Sequence, residues 1–394
     1  MASAFPRNID ELSKEWLSES FGAEVTSYEV SFLEGGVLAD AYKLHNIQYS
    51  SAKAEAPASV VIKLANAVDE RRAYAISNNA YVKEVKFFTD LADDMPLRTP
   101  IVYAIGDDGS RDAEFFVIMM EDLTAHSRVF DQVLDSPNEA FTRKINLEAA
   151  AMHAKFWESE TLQLDWIGDA QGRYIFPLDS SCRECPSNVD TYVSLWEKMF
   201  GASPFDAVGA SSSKELTDLV TGPKCIAILD YMNEVMSSRP QTLLHGDLRA
   251  DNIFRTDPDL GKTVDESTIT YIDWQLVCAG PPGPEFAQAW QHSLPPELRR
   301  KDRDFLKQYH DTLVQLQPAA AAYTYEMLIE DYKMSFVIWW MALITLGAAT
   351  IPVFDQPEGA RMKALWGQGL PYMLIAMEDH DCLDMIKRIA AEVG

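Results

Sequence analysis

The sequence predicts an α+β protein in which a small antiparallel sheet with one long helix precedes a larger, mainly helical region. Two observations indicate this fold class. Roughly the first 120 residues form short runs rich in β-branched and aromatic side chains, and helical periodicity dominates from Asp122 onward. A length of 394 residues and a hydrophobic content of 47% allow two domains with a sizeable core. We therefore predict an N-terminal domain over 1–121 and a C-terminal domain over 122–394.

The N-terminal part is predicted to be a sheet because its apolar runs are short and separated by turn-like stretches. The first three strand candidates span 24–33, 39–49 and 59–64, and their order predicts an antiparallel meander. A helix is expected from about Asp69 to Leu91, and the runs TPIVYAIG and EFFVIMME predict two further strands.

The C-terminal part is predicted to be helical because apolar residues recur at helical spacing, as Leu147, Ala151 and Ala154 do. Further amphipathic runs lie near 189–200, 212–238, 296–316, 324–349 and 360–379. The exception is segment 242–274, whose short apolar runs predict strands within the helical region.

Composition limits the partners that this chain can have. The 34 basic and 60 acidic residues give a formal net charge of −26, which argues against nucleic acid or an anionic membrane surface as partners. The same charge fits either a cationic substrate or plain solubility. The apolar stretch 335–354 approaches the length of a membrane span, but its paired tryptophans, Gly347 and Pro352 favour a buried core helix. Five cysteines and a start without an apolar signal core predict a reducing, cytoplasmic compartment.

The segment LLHGDLRADNIF, residues 243–254, places several polar side chains between apolar runs. A loop with proline and glycine then leads to TITYIDW, so the two apolar runs predict a hairpin that sets Asn252 beside Asp273. Asp247 lies just upstream of this hairpin. Buried carboxylates are costly without a partner, and carboxylate and amide oxygens suit Mg²⁺ that is shared with a nucleotide.

The spacing H-x-D-x-x-x-x-N, followed about twenty residues later by an apolar pair and D-W, resembles the aminoglycoside phosphotransferase and choline kinase group of small-molecule kinases. The forms LLHGD, DNIF and IDWQ are most similar to its ecdysteroid-kinase-like branch. The resemblance implies a bilobal protein-kinase-like fold, ATP and Mg²⁺ as cofactors, and a small-molecule hydroxyl as acceptor. It implies Asp247 as the catalytic base and Asn252 and Asp273 as metal ligands, with His245 supporting the loop.

The resemblance also implies a nucleotide site in the N-terminal lobe. Lys63 interrupts the apolar run VVIKLA and would hold the nucleotide phosphates. Glu84 stands on the apolar stripe of its predicted helix, where an unpaired charge would be costly, and Lys63 is its expected partner.

Two further parts of the nucleotide site are implied by the family pattern. The end of the strand EFFVIMME resembles the hinge, where the backbone at Met120, Glu121 and Leu123 would bind the adenine edge. The turn at Gly35 and Gly36 would cover the phosphates, but it lacks the protein-kinase GxGxxG pattern, and a simple hairpin turn is the alternative.

Other readings of the sequence stay open at this point. Glu285 stands where the family has an aspartate that braces the catalytic loop, so a non-catalytic nucleotide-binding protein is one alternative. The absence of an APE motif argues against a protein kinase. The aromatic residues of the helical part favour a bulky apolar alcohol, such as a sterol or secondary metabolite, as acceptor. They are Trp290, Tyr323, Tyr325, Tyr332, Trp339 and Trp340. A cationic acceptor of the aminoglycoside or choline type would instead need clustered carboxylates or an aromatic cage.

Overall fold

The computed structural model describes residues 5–33, 38–51, 56–109, 112–167, 178–206, 210–356 and 359–393. Its strands are β1 (Val25–Leu33), β2 (Ala39–Tyr49), β3 (Val60–Ala65), β4 (Val102–Asp107), β5 (Phe116–Glu121), β6 (Ser127–Val129), β7 (Thr242–Leu244), β8 (Ile253–Thr256), β9 (Ile269–Tyr271) and β10 (Cys278–Gly280). Its α-helices are α1 (Lys14–Phe21), α2 (Asp69–Ser77), α3 (Ala80–Lys86), α4 (Glu139–Phe156), α5 (Asp179–Phe200), α6 (Ser213–Val220), α7 (Cys225–Ser237), α8 (Gly283–Trp290), α9 (Pro296–Arg299), α10 (Asp302–Leu316), α11 (Tyr325–Thr350), α12 (Ala360–Asp379) and α13 (Cys382–Glu392).

The chain forms two compact units, and neither is continuous in sequence. The first contains Met1–Arg128, Phe254–Lys262 and Thr268–Leu276. The second contains Val129–Ile253, Thr263–Ser267 and Val277–Gly394. Most of β8 and all of β9 therefore group with the N-terminal sheet, so the first unit includes Asp273. The predicted division into 1–121 and 122–394 stays a prediction.

The first unit is built on a five-stranded sheet in the order β1–β2–β3–β5–β4, with antiparallel pairing throughout. Successive side chains of a strand point to opposite faces. On β3, Ile62 and Leu64 pack into a core that includes residues of α1. Val61 and Ala65 pack on the other face, in the core that includes residues of α3. Lys63 lies between them in sequence, so the alternation directs its side chain to the α3 face.

The single long helix expected from Asp69 to Leu91 is interrupted, which corrects that prediction. Asn79 has a left-handed backbone with φ 54° and separates α2 from α3. Asparagine tolerates this conformation better than most residues because its short polar side chain can bond locally. The neighbouring Asn78 Nδ2 donates to Tyr74 O at 2.8 Å. After α3 the chain continues as a π-helical turn, Phe87–Leu91.

The second unit is mainly helical, and the predicted α+β class is confirmed. Its longest helix, α11, packs against α5 and α8, while α4 packs against α10. Within the described residues one helix, Tyr325–Val353, is long and apolar enough to cross a membrane by length and composition. Side chains from Leu328 to Ile344 are mostly buried within the protein, which is the pattern of a core helix.

Several helix boundaries differ from the sequence expectations. The run 212–238 is divided into α6 and α7 near Gly222, where an added Cβ would lie 2.8 Å from Asp218 O. The helices α1, α8 and α13 were not predicted. Every residue of α8 is buried, and the helix has only eight residues, so no exposed face marks it as a helix in the sequence.

Candidate active site

Lys63 and Glu84 meet because β3 and α3 bury neighbouring side chains in one core. Tyr81 and Val85 of α3 pack on this face of the sheet, and the Tyr81 hydroxyl donates to Leu38 O at 2.7 Å. Residue 84 lies on the same helical stripe, so the Glu84 side chain is only 1% exposed. The helix thus presents a buried carboxylate to the lysine of the strand.

The Lys63 ammonium contacts two carboxylates at once. Nζ lies 2.8 Å from Glu84 Oε1 and 2.7 Å from Glu84 Oε2. It also lies 2.5 Å from Asp273 Oδ1. The other oxygen of this aspartate, Oδ2, accepts a hydrogen bond from Gln275 Nε2 at 3.0 Å. All four residues belong to the first unit, and three of them are predicted site residues that the structure brings together.

The two carboxylates determine the charge of Lys63. Burial lowers the pKa of this ammonium, but Asp273 and Glu84 outweigh the burial and the net shift is upward. Burial raises the pKa of Glu84, and Lys63 opposes that rise. Removing one partner of such a group is costly because it leaves a buried charge uncompensated. Lys63 therefore carries a positive charge at neutral pH, as contact with phosphate oxygens requires.

The backbone and the ring that follow Asp273 hold its loop in an unusual conformation. Asp273 has φ 69°, a left-handed value that is uncommon outside glycine and that concentrates at functional sites. Trp274 is fully buried and stacks on Phe87, with ring centroids 3.9 Å apart and planes 6° apart. Its indole Nε1 donates to Tyr271 O at 3.3 Å. These contacts attach the Asp273 loop to the turn that follows α3.

The predicted adenine-binding residues lie at the end of β5 and just beyond it. Met120 and Leu123 are buried. The Glu121 N–H donates to Ile101 O at 2.8 Å, and both Glu121 carboxylate oxygens lie 2.9 Å from Arg98 Nη2. The Glu121 amide is therefore already bonded within the first unit. Adenine recognition by this stretch stays a prediction and concerns its other backbone groups.

The HGD sequence of the second unit forms a turn that depends on glycine. Gly246 has φ 81°, a conformation that glycine adopts without the steric cost of a side chain. Glu285 Oε1 accepts the His245 N–H at 3.0 Å, and Oε2 accepts the Gly246 N–H at 3.1 Å. The Asp247 N–H donates to His245 Nδ1 at 3.3 Å. Glu285 thus braces the loop from α8, although it is longer than the aspartate of the family pattern.

Asp247 is held in one orientation by hydrogen bonds to both carboxylate oxygens. Oδ1 accepts from Gln288 Nε2 at 2.6 Å. Oδ2 accepts from Asn252 Nδ2 at 2.9 Å and from Arg249 Nε at 3.4 Å. Burial raises the pKa of Asp247, but Arg249 and the amide donors outweigh it, and the pKa falls below its ordinary value. Asp247 is therefore an ionised carboxylate at neutral pH, as a hydroxyl-orienting group must be.

The residues predicted to bind Mg²⁺ and the nucleotide phosphates have suitable chemistry. Asn252 Nδ2 donates to Asp247 O at 2.9 Å as well as to Oδ2, so the amide oxygen is the atom that can serve as a metal ligand. Asp273 supplies carboxylate oxygens, which Mg²⁺ prefers, and Lys63 supplies a cation for phosphate. Among the described residues no group of three or more His, Cys, Asp or Glu could hold a metal ion. Asn252 lies in the second unit and Asp273 in the first, and their joint binding of Mg²⁺ stays a prediction.

The remaining residues singled out in the sequence are two glycines and the charged pair of the HGD loop. Gly35 and Gly36 lie outside the residues that the structure describes. Arg249 Nη1 donates to Asp251 Oδ2 at 3.1 Å, and Asp251 Oδ1 accepts from Arg361 Nη2 at 3.0 Å. Asp251 is thus paired with two arginines, so it is not an obvious binding group for a cationic acceptor.

The aromatic residues that suggested an apolar acceptor pocket belong largely to the core. Four of them are fully buried: Trp290, Tyr323, Tyr332 and Trp340. Trp290 Nε1 donates to Asn146 Oδ1 at 3.0 Å, and Trp340 Nε1 donates to Thr217 Oγ1 at 2.9 Å. Their arrangement gives no support to an apolar acceptor.

Gln288 is a site residue that the sequence did not reveal. It lies three positions after Glu285 on α8, so the two share one helix face. The three-residue spacing from Glu285 is the one sequence feature that could have indicated Gln288. It becomes informative when residues 283–290 are known to form a helix.

Comparison with models of protein families finds a match over part of the chain. A family model, DUF1679, described as "Uncharacterized oxidoreductase dhs-27", matches residues 202–365. This range includes both the HGD loop and the IDWQ run. The matched range is less than half of the chain. No curated protein sequence matches the chain.

Solved structures of small-molecule kinases are similar to this chain at low sequence identity. An ethanolamine kinase of Plasmodium vivax is 14% identical, with 88% of this chain and 83% of that chain covered and a TM-score of 0.46. A choline kinase of Cryptosporidium parvum Iowa II is 11% identical, with 93% and 90% covered and a TM-score of 0.42.

Proposed function

We propose that the chain is a phosphotransferase that uses ATP and Mg²⁺ to phosphorylate a hydroxyl group of a small molecule. The observation that carries the proposal is the Lys63 ammonium, which contacts Glu84 and Asp273 at 2.5 to 2.8 Å. Kinases use a strand lysine, a helix glutamate and a metal-binding aspartate in this way to position phosphates.

The five cysteines are free and buried, which supports the expected reducing, cytoplasmic compartment.

The predicted residues have distinct roles in the proposed chemistry. Lys63 and Asp273 of the first unit would hold the phosphates and the metal. Asp247 of the second unit would orient the acceptor hydroxyl and take its proton, with Asn252 as a further metal ligand. Bound Mg²⁺ would neutralise charge on the phosphates. Proton transfer to a positioned carboxylate contributes typically about 10²- to 10⁴-fold to rate.

The oxidoreductase in the family description is the less supported alternative. Doubly wound dinucleotide-binding folds use a mostly parallel sheet with helices on both faces. The five-stranded sheet of this chain is antiparallel at every pairing. A non-catalytic nucleotide-binding protein is also less supported, because Glu285 braces the HGD loop through both of its oxygens.

Replacement of Asp247 tests the proposed chemistry. With ATP, Mg²⁺ and a panel of small alcohols, we expect Asp247→Asn to lower kcat at least about 100-fold, since it removes the proton acceptor while keeping the side-chain shape. Phosphorylated product is measured by mass spectrometry. Asp259→Asn, at an exposed aspartate in the loop of the hairpin that follows, is the control and should retain most of the activity. Equal phosphotransfer by wild type and Asp247→Asn would contradict the assigned role.

ATP binding without product separates the non-catalytic alternative from the proposed function. If wild-type protein binds Mg²⁺ and ATP tightly but phosphorylates none of the alcohols in the panel, we would conclude that it is a non-catalytic nucleotide-binding protein and not a kinase. We expect product instead, and we expect it to disappear when EDTA removes Mg²⁺.

A further inference from the structure

Two cysteine thiols that the proposed function does not use lie in contact within the second unit. Cys185 belongs to α5 and Cys225 is the first residue of α7, and their Sγ atoms are 3.8 Å apart. Both side chains are buried, with 0% and 2% exposure. The two residues are 40 positions apart in sequence, so the fold of the unit brings the sulfur atoms together.

Polar contacts between the same two helices hold the thiols opposite one another. Arg183 Nη2 donates to Asp230 Oδ1 at 2.7 Å, and Asn233 Nδ2 donates to Asp179 Oδ1 at 2.9 Å. In each pair one residue lies on α5 and the other on α7. The helices are therefore held together without a covalent bond, and the sulfur atoms are kept in contact.

A disulfide between these residues requires the sulfur atoms to approach further, from 3.8 Å to about 2.05 Å. Each Sγ moves with a single side-chain torsion, χ1. The approach can therefore take place by rotation of the two side chains within the helix pair.

The two thiols differ in their readiness to react. The hydrogen bond from Cys185 lowers the pKa of Cys225, and the charge of Arg183 adds to this lowering against the effect of burial. A position in the first turn of a helix also favours a thiolate. The hydrogen bond to Cys225, together with burial, raises the pKa of Cys185. Cys225 is therefore the nucleophile of the pair, and Cys185 is the thiol that reacts with its oxidised form.

Cys225 lies close to a surface from which a small oxidant can reach it. The two residues before it, Pro223 and Lys224, are exposed, and Ile226 after it is 41% exposed. Terminal turns of helices open locally at low free energy. Opening of the first turn of α7 therefore exposes Cys225 without unfolding of the whole unit.

Cys182 offers a comparison within the same helix. It lies three positions before Cys185, in the sequence CREC, and is also buried. Its Sγ donates to Ile338 O, on α11, at 3.3 Å, and burial raises its pKa. Because its thiol is hydrogen-bonded to a different helix, we expect Cys182 to stay reduced.

We propose that Cys185 and Cys225 are a peroxide-sensitive pair that forms a reversible disulfide in the folded protein and links α5 to α7. The Cys225 thiolate attacks one oxygen of hydrogen peroxide. The S–O bond forms, the O–O bond breaks, and the departing hydroxide takes up the proton that the Cys225 thiol released. The Cys185 sulfur then attacks the sulfur of the Cys225 sulfenic acid. The S–S bond forms, the S–O bond breaks, and the hydroxyl group leaves as water with the proton of Cys185.

The reaction oxidises two thiols and reduces one hydrogen peroxide to two molecules of water. It is independent of the proposed phosphotransfer, and a thiol reductant reverses it.

Peptide mapping of the wild-type protein tests the pair directly. The reduced, folded protein is treated with hydrogen peroxide, the remaining thiols are alkylated, and unreduced peptides are identified by mass spectrometry. We expect two peptides joined through Cys185 and Cys225, and we expect dithiothreitol to separate them. A disulfide that includes Cys182, oxidation of Cys225 to a sulfinic acid without a disulfide, or no oxidation of either residue overturns the proposal.

The same treatment in urea shows whether the folded protein is the species that reacts. We expect the disulfide between Cys185 and Cys225 to be the main product in buffer and a mixture of pairings to form in urea, where the fold no longer selects the partners. A disulfide between these two residues that forms only in urea overturns the proposal.

Cys225→Ser and Cys182→Ala are the matched variants. Cys225→Ser should lose the disulfide, and Cys182→Ala should keep it. Oxidation should raise the melting temperature of wild type and of Cys182→Ala by a few °C, because a cross-link restrains the unfolded chain, and should not raise that of Cys225→Ser. An equal rise in Cys225→Ser overturns the assignment. If Cys225→Ser fails to fold, Cys185→Ala replaces it on the same criterion.

Discussion

At the scale of single residues, Glu285 is both a hydrogen-bond acceptor for the HGD loop and a buried carboxyl with a raised pKa. Its carboxylate accepts backbone N–H groups from His245 and Gly246, yet it is 1% exposed and lies close to Asp247. Burial raises the pKa of Glu285 to about 7, against the lowering effect of the two N–H groups and with a further increase from Asp247. The brace of the HGD loop therefore titrates close to neutral pH.

The raised pKa of Glu285 predicts the direction in which the free energy of unfolding changes with pH. Because the folded pKa of Glu285 lies above its unfolded value, its contribution is fully present below about pH 4.5 and is lost as the pH rises through about 7. Glu285→Gln does not titrate, so the loss of unfolding free energy between pH 5 and 8 should be smaller than in wild type, by on the order of 3 kcal/mol. Urea unfolding at a series of pH values measures this.

The comparison with wild type isolates Glu285 from other titrating groups. Burial also raises the pKa of Asp331 to about 7, so both proteins retain that part of the pH dependence. Parallel stability curves for wild type and Glu285→Gln would show that Glu285 does not titrate in this window.

At the scale of elements, α8 is the part on which the HGD loop depends, and its position is fixed by close packing. An added Cβ at Gly283 would lie 2.6 Å from Asp331 Cβ and 2.7 Å from Tyr332 N, both on α11. Real Cβ atoms do not approach backbone so closely, so the two helices must separate before any larger residue fits. The same helix carries Glu285 and Gln288, which hold the loop and Asp247.

We therefore expect Gly283→Ala to lower both stability and activity. The cost of overpacking is about 1 to 3 kcal/mol of unfolding free energy, measured by denaturant unfolding, and kcat should fall because Asp247 loses its orientation. Gly106→Ala on β4 is the control, since its Cβ would meet Phe5 at an ordinary 3.6 Å. Equal stability of the two variants would mean that α8 can shift without cost.

The elements that could be predicted from sequence are those with a periodicity of their own. Strands β1 to β5 and helices α4, α10, α11 and α12 show such local patterns. By contrast, α8 has only eight residues and is buried at every position, so no exposed face marks it as a helix. The break at Asn79 could not be predicted either, because asparagine tolerates the left-handed conformation without requiring it.

At the scale of the whole molecule, the site residues that the sequence revealed most clearly are charged side chains that interrupt an otherwise apolar strand or helix stripe. Lys63 and Glu84 each interrupt an apolar stripe, so each required a partner, and they pair with one another. The contact of Lys63 with Asp273 joins positions 210 residues apart in sequence. Gln288 could not be found in this way, because it is uncharged and only the folded chain brings it to Asp247.

The division into two units makes a prediction about nucleotide binding. Lys63 belongs to the first unit and Asp247 to the second, so their replacement should affect different steps. A ligand at 100 times its Kd stabilises the folded state by about 2.7 kcal/mol. We expect Mg²⁺ and ATP to raise the melting temperature of wild type and Asp247→Asn by several °C, and to raise that of Lys63→Met far less, each measured against its own ligand-free state.

Lys43→Met is the matched control for this measurement. Lys43 lies on the adjacent strand β2 and pairs with Asp122 at 2.8 Å, so its loss removes a lysine of the same sheet without removing the contact between Lys63 and Asp273. It should keep the full nucleotide-induced shift. A full shift in Lys63→Met together with none in Asp247→Asn would reverse the roles of the two units. Phosphate binding would then have to be assigned to the HGD loop instead of to the strand lysine.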